Sequence, residues 1–266
     1  MIHDVARADL RVRAPTGDHG GFMRSRVACL VAASFVLLAW PVEARAQLYA
    51  SISAGGNHTS PADVTVTVPT AGLAVTYQHV HFSARSLDSP QYYVWRVGRL
   101  FGAQERFGVE FEFTHLKVIG DTSRAYVASG QINGAAIPGS SSLPMNAEVQ
   151  EYQMTHGLNF LLVNAVGRWP ITSSRRLSLV TRGGMGTTLP HAETEVLGLS
   201  QERYEFTGLG VEGSAGLVMK LSRLLSLVAD YKVSEARPRI TVVSGTAQTR
   251  ALTQQVAIGL ALGFAR

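Results

Sequence analysis

The last sixteen residues, Ala251 to Arg266, alternate strictly. Val256, Ile258, Leu260, Leu262 and Phe264 fall on one face, and Gln255, Ala257, Gly259, Ala261 and Gly263 on the other. A side-chain period of two is that of a β-strand. A soluble edge strand rarely shows water so apolar a stripe while filling its buried face with small residues. A strand of a transmembrane barrel does both, because its apolar face meets lipid and its small residues fill a narrow lumen. The same alternation predicts strands near 48–57, 91–101, 106–119, 150–168, 176–191, 203–220, 225–240 and 251–265. Their connections are short at 102–105, 169–175 and 221–224. They are longer and rich in Gly, Ser, Thr and Pro at 58–90, 120–149, 192–202 and 241–250. The expected fold is all-β: an eight-stranded antiparallel outer-membrane barrel with short periplasmic turns and long surface loops. Residues 71–83 are strand-like too. Counting them as spanning would make the strand number odd, so they are assigned to the first surface loop.

Alternation also sorts the charges. Phe107, Val109, Phe111 and Phe113 oppose Glu110, Glu112 and Thr114. Leu209, Val211, Ala215 and Leu217 oppose Glu212, and Ala229 and Tyr231 oppose Asp230 and Lys232. The inward set therefore holds Glu110, Glu112, Glu212 and Asp230 against Arg96, Arg182 and Lys232. Buried charges persist only when paired, so these are expected to form an ion-pair plug rather than line an open pore. Trp95, Trp169, Tyr152, Tyr204 and Tyr231 are candidate interface anchors.

Residues 23–46 have the parts of a secretory signal: Arg24 and Arg26, an apolar stretch from Val27 to Trp40, and the cleavage motif Ala44-Arg45-Ala46. The stretch is too short for a membrane-spanning helix, which needs ~20 residues. Residues 1–22 are a patternless extension, consistent with translation starting at Met23, and residues 47–266 form the barrel domain. The one cysteine, Cys29, lies within the leader, so the exported chain has neither disulfides nor thiolate metal sites. Removing residues 1–46 takes away six of the 24 basic and four of the 19 acidic residues, leaving 18 and 15. That small excess gives no reason to expect nucleic-acid binding.

Some outward positions near the surface ends are not apolar. His115 and Lys117 continue the Phe111–Phe113 face, His156 shares a face with Met154 and Leu158, and His191 and Glu193 lie two apart. Glu205 starts the sixth strand. A barrel strand needs ~9–11 residues to cross the hydrocarbon, which puts these groups at the height of lipid head groups.

At these positions the chain resembles the lipid A oxidase family. Residues 108–117, 156–164 and 189–193 carry the likeness, with Tyr204-Glu205-Phe206 and Asp230-Tyr231-Lys232. The resemblance implies an enzyme of the bacterial outer membrane that uses oxygen to convert the proximal glucosamine of lipid A to an aminogluconate. Two histidines and a carboxylate would suit a redox-active divalent metal such as iron or manganese. The expected ligands and catalytic residues are His115, His191 and Glu193. Lys117, Arg124, His156 and Glu205 are the expected substrate-binding residues, Lys117 or Arg124 holding a lipid phosphate. The expected partners are outer-membrane lipid and the barrel-assembly machinery that inserts such proteins, for which Phe264 resembles the C-terminal aromatic signal. The barrel is expected to be a monomer.

Two other readings use different residues. An esterase would need a Ser–His pair, and His81-Phe82-Ser83 offers one, but in the first loop. A structural or adhesive barrel needs no chemistry and explains the strands, glycines and lumen charges equally well.

Overall fold

The computed structural model describes residues 47–139 and 141–264. The leader, the extension before it and Cys29 lie outside the described residues. Eight strands form the barrel: β1 (Gln47–Thr59), β2 (Tyr93–Phe101), β3 (Phe107–His115), β4 (Leu158–Pro170), β5 (Leu177–Val196), β6 (Thr207–Lys220), β7 (Leu225–Ala236) and β8 (Ala251–Phe264). Their order is β4-β3-β2-β1-β8-β7-β6-β5, and pairing of β4 with β5 closes the ring. Every neighbouring pair is antiparallel. Closure leaves no unpaired strand edge, the condition for backbone amides to sit in hydrocarbon.

The outer wall is apolar and uncovered. Ile52 is 63 % exposed and Ile258 59 %, and Trp95, Leu209, Leu217, Val256, Leu260 and Leu262 are exposed beside them. A contiguous belt of this kind is stable only against lipid, so the barrel is of the outer-membrane type.

Inside, the expected plug is present. Arg96 pairs with Glu112 at 2.6 Å and Asp230 at 2.8 Å, and Arg182 with Glu110 at 3.1 Å and Asp230 at 2.9 Å. Lys232 binds Glu112 and lies 3.2 Å from Glu212. Tyr49 donates to Glu110, and Asn164 donates to Glu110 and Glu212. Glycines make the room: a Cβ on Gly216 would lie 2.0 Å from Asp230 Oδ1, and one on Gly184 1.8 Å from Asn164 Oδ1.

The surface loops are not loose. Segments of three of them form a second sheet in the order Ser141–Pro144, Ala125–Ile132, Leu73–Val80, Ala62–Val68, Gly245–Thr249, Arg239–Val242. Residues 71–83 therefore pair outside the barrel. Another set, Phe82–Ser83, Val118–Gly120 and Val149–Met154, leans on the upper half of β5, which also pairs with Leu199–Tyr204. The two sets share one buried core that includes Val66, Leu73, Tyr77, Val118, Tyr152, Met154 and Val196. At ~1.5–3 kcal/mol for each large apolar side chain removed from water, such a core offsets the entropy of ordering long loops. Tyr152 belongs to this core and is 1 % exposed, which corrects its expected place at the lipid interface.

Segments expected as single strands at 106–119, 150–168, 203–220 and 225–240 are each broken at the rim. The reason is a change of partner. Strand β5 leaves β6 at a register shift between Thr187 and Thr188, then pairs with Leu199–Tyr204 and Val149–Met154. The chain thus changes from barrel to cap at one height, and the candidate residues gather there.

Candidate metal centre

Strand β5 carries the centre because it runs unbroken through the rim, from barrel partners to cap partners. Its odd positions face outward, so His191 and Glu193 leave the same face two residues apart. The hairpin return sets Glu202 opposite Glu193 and Tyr204 opposite His191. His156 comes from the turn between Met154 and β4. Gly157 holds that turn at φ +106°, where a Cβ would meet His115 Nδ1 at 2.4 Å. Its carbonyl accepts the His191 amide at 2.9 Å, which locks the turn against β5.

One donor atom from each of His156, His191, Glu193 and Glu202 lies within 4.8 Å of all the others. His156 Nδ1 is 2.8 Å and His191 Nδ1 3.4 Å from Glu193 Oε1, and His191 Nε2 is 3.2 Å from Glu202 Oε1. Thr155 and Gln153 also hydrogen-bond Glu193 and aim it. The His191 ring lies 4.1 Å from Tyr204 and meets the edge of His156 at 4.8 Å. His191 is 6 % exposed, and its Nδ1 has no hydrogen-bond partner.

That donor set fits a divalent ion. Metal–ligand bonds of ~2.0–2.2 Å put donors up to ~4.2 Å apart across the ion, so the four atoms need to close by roughly half an ångström. His191 Nδ1 faces Glu193 Oε1 at 3.4 Å without a hydrogen bond, and an ion between the two would satisfy both. Two imidazoles and two carboxylates without thiolate suit iron or manganese. The exposed sides of His156 and Glu202 leave positions open.

Electrostatics point the same way. Burial tends to raise the Glu193 carboxyl, but hydrogen bonds from Thr155 and His156 and the neighbouring imidazoles outweigh it and hold it below the usual range. Glu151 is pushed up by burial and then by the charges of Glu193 and Glu195. A cation would relieve that crowding of carboxylates.

The other expected site residues lie elsewhere. His115 bonds Asn159 at 2.8 Å and stacks on Tyr93 at 5.0 Å, beside the centre rather than in it. Lys117 is buried, its ammonium donating to the Asp88 and Ser89 carbonyls, and Arg124 pairs with Asp121 at 2.6 Å. Glu205 accepts from the Thr241 amide and hydroxyl, tying the third surface loop to the fourth. Glu202 and Tyr204 went unnoticed in the sequence as site residues. Their signal was a hairpin about Leu197-Gly198, which would have set Glu202 opposite Glu193.

No protein-family model and no curated protein matches the chain. Solved structures with a similar chain path include the outer membrane protein OprG from Pseudomonas aeruginosa, at 10 % identity and TM-score 0.44, covering 84 % of this chain and 98 % of that one. The outer membrane protease OmpT from Escherichia coli gives 8 % identity and TM-score 0.41, covering 82 % and 97 %. Neisserial surface protein A gives 9 % and 0.37, covering 82 % and 97 %.

Proposed function

We propose that this protein is a metal-dependent enzyme acting sideways on lipid of the outer leaflet, most specifically an oxidase of the proximal glucosamine of lipid A. The observation that carries this reading is the His156–His191–Glu193–Glu202 cluster. It faces outward just above the lipid-exposed wall that bears Trp95. A lipid could reach it without leaving the membrane.

In this reading His156, His191, Glu193 and Glu202 hold the ion, which supplies redox chemistry with oxygen when bound. Thr155 and Gln153 fix Glu193, Tyr204 covers one side of His191, and the open side admits the sugar. Below the cluster an outward column of Tyr93, Phe113 and Trp95 stacks at 5.9 and 5.6 Å, a rigid wall for acyl chains. With Lys117 tied to loop carbonyls and Arg124 to Asp121, neither is free to hold a lipid phosphate without giving up its partner.

The test is aerobic incubation of folded protein with iron or manganese and lipid A whose proximal glucosamine has a free anomeric hydroxyl, so that oxygen and water give the acid and hydrogen peroxide, read by mass spectrometry. Wild type should add one oxygen atom, and His191→Ala should not. A wild type that never forms the product refutes the oxidase and leaves a structural or adhesive barrel, which the packed surface cap would also serve.

A further inference from the structure

The charges of the chain are sorted by height. At the periplasmic end the segments 99–107, 168–177 and 219–226 carry seven basic groups against one acid, Glu105. The surface segments 58–92, 116–157, 189–206 and 235–250 carry ten acids against seven bases. Solubility alone would be served by either sign at either end. Among the described residues the sign is instead predominantly basic at each of the three periplasmic turns.

All three turns contribute. Arg106, Arg175, Arg176 and Arg223 are exposed there. Arg99, on the outer face of β2, is buried, its guanidinium 5.6 Å over the Phe101 ring. Arg168 and Lys220 turn inward at the mouth. Glu105, the one acid among the described residues of this end, lies 3.7 Å from Arg168. The same level carries exposed apolar groups: Trp169, Ile171, Leu221 and Leu224. Apolar anchors at one height with the exposed cations Arg106, Arg175, Arg176 and Arg223 describe a membrane interface with anionic head groups.

We infer that this basic collar binds anionic phospholipid of the periplasmic leaflet, gathering phosphatidylglycerol-type head groups around the turn end of the barrel. The collar is independent of the metal centre, which lies at the opposite rim. It gives the barrel a fixed polarity: a cationic end against phospholipid and an anionic end toward the outside.

Trp169 is a built-in reporter, since it is exposed beside Arg168. Replacing Trp95→Phe in the chain lacking residues 1–46 leaves Trp169 as its one tryptophan. The protein would be folded into vesicles of phosphatidylcholine and phosphatidylglycerol, with bromine placed on the acyl chains of one or the other. Brominated phosphatidylglycerol should quench Trp169 with a relative association constant roughly fivefold or more above phosphatidylcholine. The preference should fall to near one in 0.5 M salt, where screening shortens to ~4 Å. It should also vanish in the combined variant Arg106→Ser, Arg175→Ser, Arg176→Ser, Arg223→Ser. Equal quenching by both lipids in wild type, or a preference that survives the four substitutions, overturns the inference. So would equal quenching together with co-sedimentation of wild type, but not the variant, with peptidoglycan sacculi, which would assign the collar to the cell wall. The salt series keeps the test decisive if the variant folds poorly.

Discussion

Arg96 and Asp230, 134 residues apart in the chain, meet inside the barrel at 2.8 Å, each about 1 % exposed. They come from β2 and β7, which are not paired with each other, so the contact spans the lumen. Asp230 also holds Arg182 at 2.9 Å from β5. One carboxylate thus ties three separated staves of the wall together.

Replacing Arg182→Leu should destabilise the barrel by ~3–5 kcal/mol, the usual result of removing one partner of a buried ion pair. Glu110 and Asp230 each lose a cation while staying buried. A denaturant titration of folded protein in detergent reads the effect. An unchanged midpoint would mean that the lumen is hydrated.

Gly216→Ala should cost about 1–3 kcal/mol, the range for overpacking a filled interior. Its Cβ would press on Asp230 Oδ1 and on the β7 backbone. Gly213→Ala, where nothing lies within 4 Å, is the matched control and should fold as wild type does.

Cap and barrel should separate under mutation. Leu73→Ala empties a site that is 2 % exposed in the surface core, at about 2–5 kcal/mol. Limited proteolysis should then cut the surface loops faster, while the unheated protein keeps its fast gel mobility. Loss of the folded band would show that the barrel cannot form without its cap.

Metal content separates binding from catalysis. Purified wild type dialysed against iron or manganese should retain about one ion per chain, and a chelator should remove it without unfolding the barrel. His191→Ala and Glu193→Gln should each lower retention at least tenfold, as expected when a ligand is lost. His115→Ala should retain metal, because its ring faces Asn159 and Tyr93. Equal retention by His191→Ala would dismiss the centre.

A period of two in the side chains, read along the chain, determined the fold class, the eight staves and the inward charges. Strand parity is local, and a closed barrel has only two faces to assign. The same local rule placed His191 and Glu193 side by side. What it left open was which neighbours they would meet. His156 joins them because a turn at Gly157 folds it onto β5, and Glu202 because a hairpin returns beside Glu193. Lys117 and Glu205 kept their place at the rim, but the loops drew their charges into backbone contacts. Those outcomes depend on loops packing over the barrel, where residues far apart in sequence share one hydrophobic core. Alternation shows which way a side chain points; only the packed tertiary structure decides what it points at.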